Sequence, residues 1–297
     1  MAGTILVKKK VFKKRVVKEK KLPLKERVIA YVELMRIGNC IMAAIAVIIG
    51  FFLAQGLDYR AAGIAAFSTF LICGAGQAIN DYFDASVDEK SAKPRPIPSG
   101  RIAKQKALYF SIFLFFLGVA ASFFINPATM IVAIAFSILL ISYPLFMNKI
   151  KYIGNGVVAM GTAITFVYGA SAAGSVPALV LFISLTAFLS NMGREITKDI
   201  EDIRKDKDSK KTLPMLIGTS ASKGFVLVYY ALAAIGSVVT FVLFNLNNYY
   251  LAFVLISIAL FAYSLFLLYS NSPMKSQKAS KTGMLASLVA FVFAGFK

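Results

Sequence analysis

Ten of the fourteen acidic residues in this chain fall in two short segments, 81–89 and 195–208. The first cluster runs Asn80-Asp81-Tyr82-Phe83-Asp84-Ala85-Ser86-Val87-Asp88. The second runs Asp199-Ile200-Glu201-Asp202-Ile203-Arg204-Lys205-Asp206-Lys207-Asp208. On a helix, Asn80, Asp84 and Asp88 share one face at i, i+4 and i+8, and Asp199, Asp202 and Asp206 share another at i, i+3 and i+7. Like charges stacked on one face repel unless something positive sits against them. Hard oxygen donors grouped this way suit Mg²⁺, which takes one or two carboxylates and fills its octahedron with water and substrate phosphates. Two such faces would make a cage for a diphosphate.

A lipid with an allylic diphosphate head would use such a cage. Mg²⁺ neutralises the diphosphate and makes it a leaving group, because preorganised cations stabilise the charge that develops on it. The allylic carbon then becomes carbocation-like and needs little activation of its attacker, which suits a chain with no His. Water would quench such a carbon, so the tail needs an apolar, closed cavity.

The rest of the chain can supply that cavity. Of its 297 residues 58% are hydrophobic and 16% charged, 26 are Phe, and the mean hydropathy is +0.72. Nine apolar windows, at about 37–56, 61–80, 107–125, 128–147, 152–172, 176–193, 224–244, 249–270 and 283–296, approach the length that crosses a bilayer core. Hydrocarbon offers the backbone no partners, so these windows must be helices. The expected fold is an all-α polytopic membrane protein, with nine transmembrane helices around an apolar cavity and an active-site mouth on the cytoplasmic side. With the N-terminus cytoplasmic, segments 1–36, 81–106, 148–151, 194–223 and 271–282 hold 31 of the 33 Lys and Arg, leaving only Arg60 and Lys297 outside. That bias places the C-terminus externally. A basic segment, 1–30, precedes a membrane domain, 31–297, whose cytoplasmic cap loops are 81–106 and 194–223.

Other function classes fit poorly. The net charge of +19 reads as topogenesis and contact with anionic lipid, and the tail Lys8-Lys9-Lys10-Val11-Phe12-Lys13-Lys14-Arg15 as a polybasic membrane-surface segment. No aromatic-lined basic domain accompanies it, so nucleic acid is not expected as a partner. Without His there is no His-ligated zinc or haem. Cys40 and Cys73 read as packing residues. The spans between 107 and 270 carry no charge in their interiors, whereas transporters usually do. The Asp-Gly-x-x-Ala-Arg core of CDP-alcohol phosphatidyltransferases is absent. Span five is rich in small residues (Gly154, Gly156, Gly161, Gly169, Ala170, Ser171), which means close helix packing or a wall thin enough to admit a lipid chain. No pattern assigns an oligomeric state.

Asn80-Asp81-x-x-Asp84-x-x-x-Asp88 followed by Arg95-Pro96-Ile97-Pro98-Ser99-Gly100 resembles the first aspartate-rich motif of the UbiA-type intramembrane prenyltransferases. Arg194-Glu195-Ile196-x-Lys198-Asp199-x-Glu201-Asp202-x-x-x-Asp206 resembles their second. The stretch Glu33-Leu34-Met35-Arg36-Ile37-Gly38-Asn39-Cys40 is similar to a narrower branch, the digeranylgeranylglyceryl phosphate synthases of archaeal ether-lipid synthesis. The resemblance implies Mg²⁺ as cofactor, and a prenyl diphosphate and a phosphorylated lipid acceptor as substrates. In that branch a geranylgeranyl group is joined to a hydroxyl of geranylgeranylglyceryl phosphate as an ether; an aromatic or quinone precursor, or haem, is the alternative acceptor within the family.

Carried over residue by residue, the resemblance makes Asp84, Asp202, Tyr143 and Lys149 catalytic, with Tyr143 near the allylic end and Lys149 near the diphosphate. Arg36, Asn39, Lys93, Arg95, Lys149, Arg194 and Lys198 would bind substrate. Lys205 stands where the family commonly has Gly, and the stretch from Asp88 to Arg95 is slightly shortened.

Overall fold

A computed structural model describes residues 20–89, 95–144, 151–203 and 211–296. These residues form eleven α-helices: α1 Leu24–Met35, α2 Ile37–Leu53, α3 Tyr59–Asp88, α4 Lys104–Phe123, α5 Pro127–Ser142, α6 Lys151–Ala172, α7 Ala178–Glu201, α8 Leu213–Ile217, α9 Thr219–Phe244, α10 Asn248–Tyr269 and α11 Pro273–Phe293. Local chemistry sets several of the boundaries. Asp58 Oδ1 accepts from the backbone N–H of Arg60 and Ala61, at 3.0 and 3.3 Å, at the start of α3. At α5, Pro127 occupies the first turn behind an Asn126–Thr129 capping box.

Six of the described helices are long and apolar enough to cross a membrane, and α1 with α2 makes a seventh if the bent pair counts as one span. Each of the nine expected windows falls on a helix, but α5 is only 16 residues long, and α11 carries Lys275, Lys278 and Lys281 in its first half. The outward surface is apolar, with Phe116, Val242 and Phe266 among its exposed side chains. This is an integral membrane protein.

Two helices begin before the apolar windows. The first starts at Leu24, within the N-terminal segment 1–30, where Ala30 and Leu34 bury against Ala78, Ala85, Ile97 and Ile102. The stretch 271–282 is helical from Pro273. Pro273 starts α11 ten residues before the predicted span, and the helix runs on without a breaker through Gly283, which packs against Phe261.

One buried cluster joins α2, α3, α4 and α6 around Val47, Phe51, Ala65 and Phe115. A second joins α2, α6, α7, α10 and α11 around Ile49, Phe166, Ile183 and Phe291. Serine hydroxyls tie helices together where apolar packing alone gives little drive in lipid. Ser257 bonds to the Gly283 carbonyl at 2.9 Å and to Ser287 at 2.6 Å, and Ser264 to Ser276 at 2.9 Å. The tightest contact is the α2–α6 crossing, where the Gly50 and Gly169 backbones lie directly against the facing helix. Cys40 and Cys73 are both free thiols.

Candidate active site

Residues of α1, α2, α3, α5, α6, α7 and α11 line a cavity of about 890 Å³, near the top of the range of roughly 300–1,000 Å³ usual for ligand pockets. Its interior is apolar (Ile72, Ala133, Phe136, Leu140, Phe166, Phe291) and its polar end carries Arg36, Arg95, Arg194, Lys198 and Lys281. Ile37 and Val158 line it and are also exposed on the outer surface, so its apolar wall reaches the face where lipid would lie.

The α3 helix continues past its apolar stretch to Asp88, carrying the first acidic cluster on one helix as expected. Asn80 lines the cavity. Asp81, one position on and so turned about 100° around the axis, points elsewhere. It is buried, and its Oδ1 accepts from Arg36 at 2.5 Å and from Arg95 at 2.9 Å. Arg36 reaches it because the chain bends by 53° between α1 and α2, with Arg36 itself in the left-handed region at φ 51°. A non-glycine residue there is strained, and such strain is often stored at functional sites. Arg95 is fixed by the turn that follows it. The Pro96 carbonyl accepts from both Arg101 and Ile102 N–H, and Gly100 takes the positive φ of 74° that the turn needs. Asp88 lies 3.8 Å from Arg95. Burial works against the Arg95 charge, but the Asp81 and Asp88 carboxylates outweigh it and hold the guanidinium above its ordinary pKa.

In the second cluster the α7 helix ends at Glu201, with Asp202 as its C-cap. Asp206 itself, with Lys93, Lys149 and Lys205, lies outside the described residues. Asp199 is fully buried and accepts from Asn155 Nδ2 at 2.6 Å. Arg194 and Lys198 line the cavity, and both pair with the buried Glu195, at 2.6 and 3.2 Å. Asp84 and Asp202 are half-buried, and Asp88 is buried. Of the five expected ligands among the described residues, Asn80 alone lines the cavity itself.

Among the described residues no three acidic or cysteine side chains gather closely enough to hold an ion alone. A water-rich hard cation asks for less, one or two carboxylates being enough. The oxygen atoms Asn80 Oδ1 and Glu201 Oε2, one from each acidic segment, are buried without a hydrogen-bond partner, and buried acceptors left so are uncommon. The donor set fits Mg²⁺.

Tyr143 is buried and lines the cavity, its ring against Gly154, where an added Cβ would fall 2.3 Å from the ring. Gly161 lines the cavity opposite Phe136, whereas Gly169 lies against the Val47 carbonyl. Gly169 therefore permits close helix packing, while Gly161 faces the cavity.

The model of the UbiA prenyltransferase family matches residues 43–289. The chain belongs to this family. A digeranylgeranylglyceryl phosphate synthase from Methanococcoides burtonii is 37% identical over 276 residues, spanning 88% of this chain and 98% of that protein. A solved digeranylgeranylglyceryl phosphate synthase superposes with a TM-score of 0.73 at 34% identity, over 91% of this chain and 99% of the other. A UbiA homologue from Archaeoglobus fulgidus, solved with GPP and Mg²⁺, superposes with a TM-score of 0.64 at 18% identity, over 90% of this chain and 99% of its own. That last likeness carries the fold.

In this UbiA-family chain the motifs alone did not single out Asp81, Asn155, Glu195 or Lys281. Asp81 and Glu195 stand inside the motifs but off the ladder of expected ligands, and helical phase was the available signal. Lys281 is reached only by extending the last helix back to Pro273.

Proposed function

We propose that this prenyltransferase transfers a geranylgeranyl group from geranylgeranyl diphosphate to the hydroxyl of geranylgeranylglyceryl phosphate, forming an ether-lipid precursor. One observation supports this reading above others: a large apolar cavity ends in a cluster of cations beside two acidic segments. It suits two lipids with anionic heads sharing one mouth.

Asn80, Asp84, Asp88, Asp199, Asp202 and Asp206 are the residues that would hold Mg²⁺. When bound, Mg²⁺ supplies charge neutralisation to a departing diphosphate. Arg95 and Lys198 add fixed positive charge where that diphosphate lies, with Lys149 assigned to the same end by resemblance. The apolar wall holds the prenyl chain and keeps water from the allylic carbon, and Tyr143 presents its ring to that end of the cavity. The acceptor hydroxyl oxygen bonds to the allylic carbon as the carbon–diphosphate bond breaks, and the hydroxyl proton leaves through the polar mouth. No histidine base is available, in keeping with an electrophile that needs a weak nucleophile only.

We also assign nine spans, with residues 1–30 and the cap loops 81–106 and 194–223 on the cytoplasmic side, from the distribution of basic residues. Reporter tags at Met1 and Lys297 should then lie on opposite faces. Tags on the same face would mean an even number of spans.

The function is tested by incubating the purified chain with radiolabelled geranylgeranyl diphosphate, Mg²⁺ and separate acceptors. Geranylgeranylglyceryl phosphate should be converted to an ether product, and aromatic acceptors should not. Turnover of an aromatic acceptor alone would overturn the acceptor assignment.

A further inference from the structure

Among the described residues five cationic side chains line the cavity, and four of them form ion pairs with carboxylates. Arg36 and Arg95 share Asp81, and Arg194 and Lys198 share Glu195. Lys281 is different. Among the described residues no carboxylate lies within 4.0 Å of its ammonium, and its hydrogen bond is to a neutral group, Asn39 Oδ1, at 3.5 Å. Burial and the neighbouring Arg194 guanidinium both push the Lys281 ammonium below the ordinary lysine pKa. On this wall Arg194, Lys198 and Lys281 line the cavity together, and Arg194 and Lys198 pair with Glu195. A partly buried ammonium beside another cation is unfavourable unless an anion completes the site.

We propose that Lys281, oriented by Asn39 and set beside Arg194, binds the phosphate of the acceptor lipid. The inference rests on the transfer reaction proposed above and assigns one of its two anionic groups to a wall. The donor's diphosphate belongs with the ends of α3 and α7, where the acidic segments lie. Lys281 comes from α11 and meets Asn39 in the first turn of α2. A phosphate monoester needs no metal to be held there: one ammonium, one guanidinium and one amide supply enough donors. This site also divides labour among the arginines. Arg36 pairs with Asp81 and sits at the bend, whereas Lys281 makes no ion pair among the described residues.

The test uses the full-length purified chain in steady state, varying geranylgeranyl diphosphate and geranylgeranylglyceryl phosphate separately, with geranylgeranylglycerol as a phosphate-free acceptor. Lys281→Gln should raise the KM for the phosphorylated acceptor about ten- to a hundredfold, the effect of losing one charge-assisted contact. The KM for the diphosphate should stay within about twofold of wild type, as expected for a contact the donor does not make. The preference for phosphorylated over phosphate-free acceptor should shrink by the same factor, and Lys281→Arg, which keeps the charge, should retain most of it. A rise in the donor KM alone, no change in either KM, or an equal loss in Lys281→Arg would each overturn the site. If the wild-type chain prenylates only the phosphate-free acceptor, the functional reading itself fails and the site with it.

Discussion

Replacing Asp84 with alanine is expected to lower the rate of ether formation about a hundred- to a thousandfold, the size of effect seen when one group that stabilises transition-state charge is lost. Asp202→Ala should do the same from the other acidic segment. Each removes an oxygen ligand from the Mg²⁺ site and leaves its acidic neighbours facing one another. The two residues occupy different local structures, one on the long α3 helix and one at the C-cap of α7, so a shared loss points to a shared ion rather than to damage in one helix. EDTA should abolish the wild-type activity, and excess Mg²⁺ should restore it. In the variants, the Mg²⁺ concentration needed for half-maximal rate should rise. Full activity in either variant, with the protein folded in the membrane, would remove the two-segment cage.

The second large effect is on stability. An added Cβ at Gly169 would fall 1.9 Å from the Val47 carbonyl oxygen, and one at Gly50 would fall 2.1 Å from the Phe166 carbonyl oxygen. Both obstacles are backbone, so neither can swing aside as a side chain would. The α2 and α6 helices must separate to admit even a methyl group, and they carry both buried clusters around the cavity. Overpacking typically costs about 1–3 kcal/mol, and more where the neighbour is rigid. Gly169→Ala should therefore lower the thermal midpoint in detergent by roughly 2–6 °C at the usual conversion for a chain of this size. Gly156 is on the same helix with nothing within 4 Å of its added Cβ. Gly156→Ala should leave the midpoint unchanged or raise it, since alanine is the better helix former. Equal midpoints for the two variants would show that the α2–α6 crossing is not the tight contact described.

The sequence by itself determined that this is a helical membrane protein, and in which two segments its carboxylates gather. Apolar windows without internal charge can only be helices in lipid, and carboxylates are too costly to gather without a purpose in so acid-poor a chain. The helical phase of Asn80, Asp84 and Asp88 was legible too, because α3 does not break between its apolar stretch and its acids.

Pairing was not legible. Asp81 lies 45 residues from Arg36, and their meeting depends on a left-handed residue at a bend that composition does not mark. The apolar windows conveyed where lipid lies but not where helices stop, since a helix end depends on capping and packing as much as on hydropathy. Thus α7 stopped at Glu201, short of Asp206, and α11 began well before its apolar stretch. That early start brings Lys281 to Asn39, 242 residues away. Tertiary structure alone decided which cations at the mouth are matched by carboxylates, because a charge's surplus depends on what faces it across the cavity.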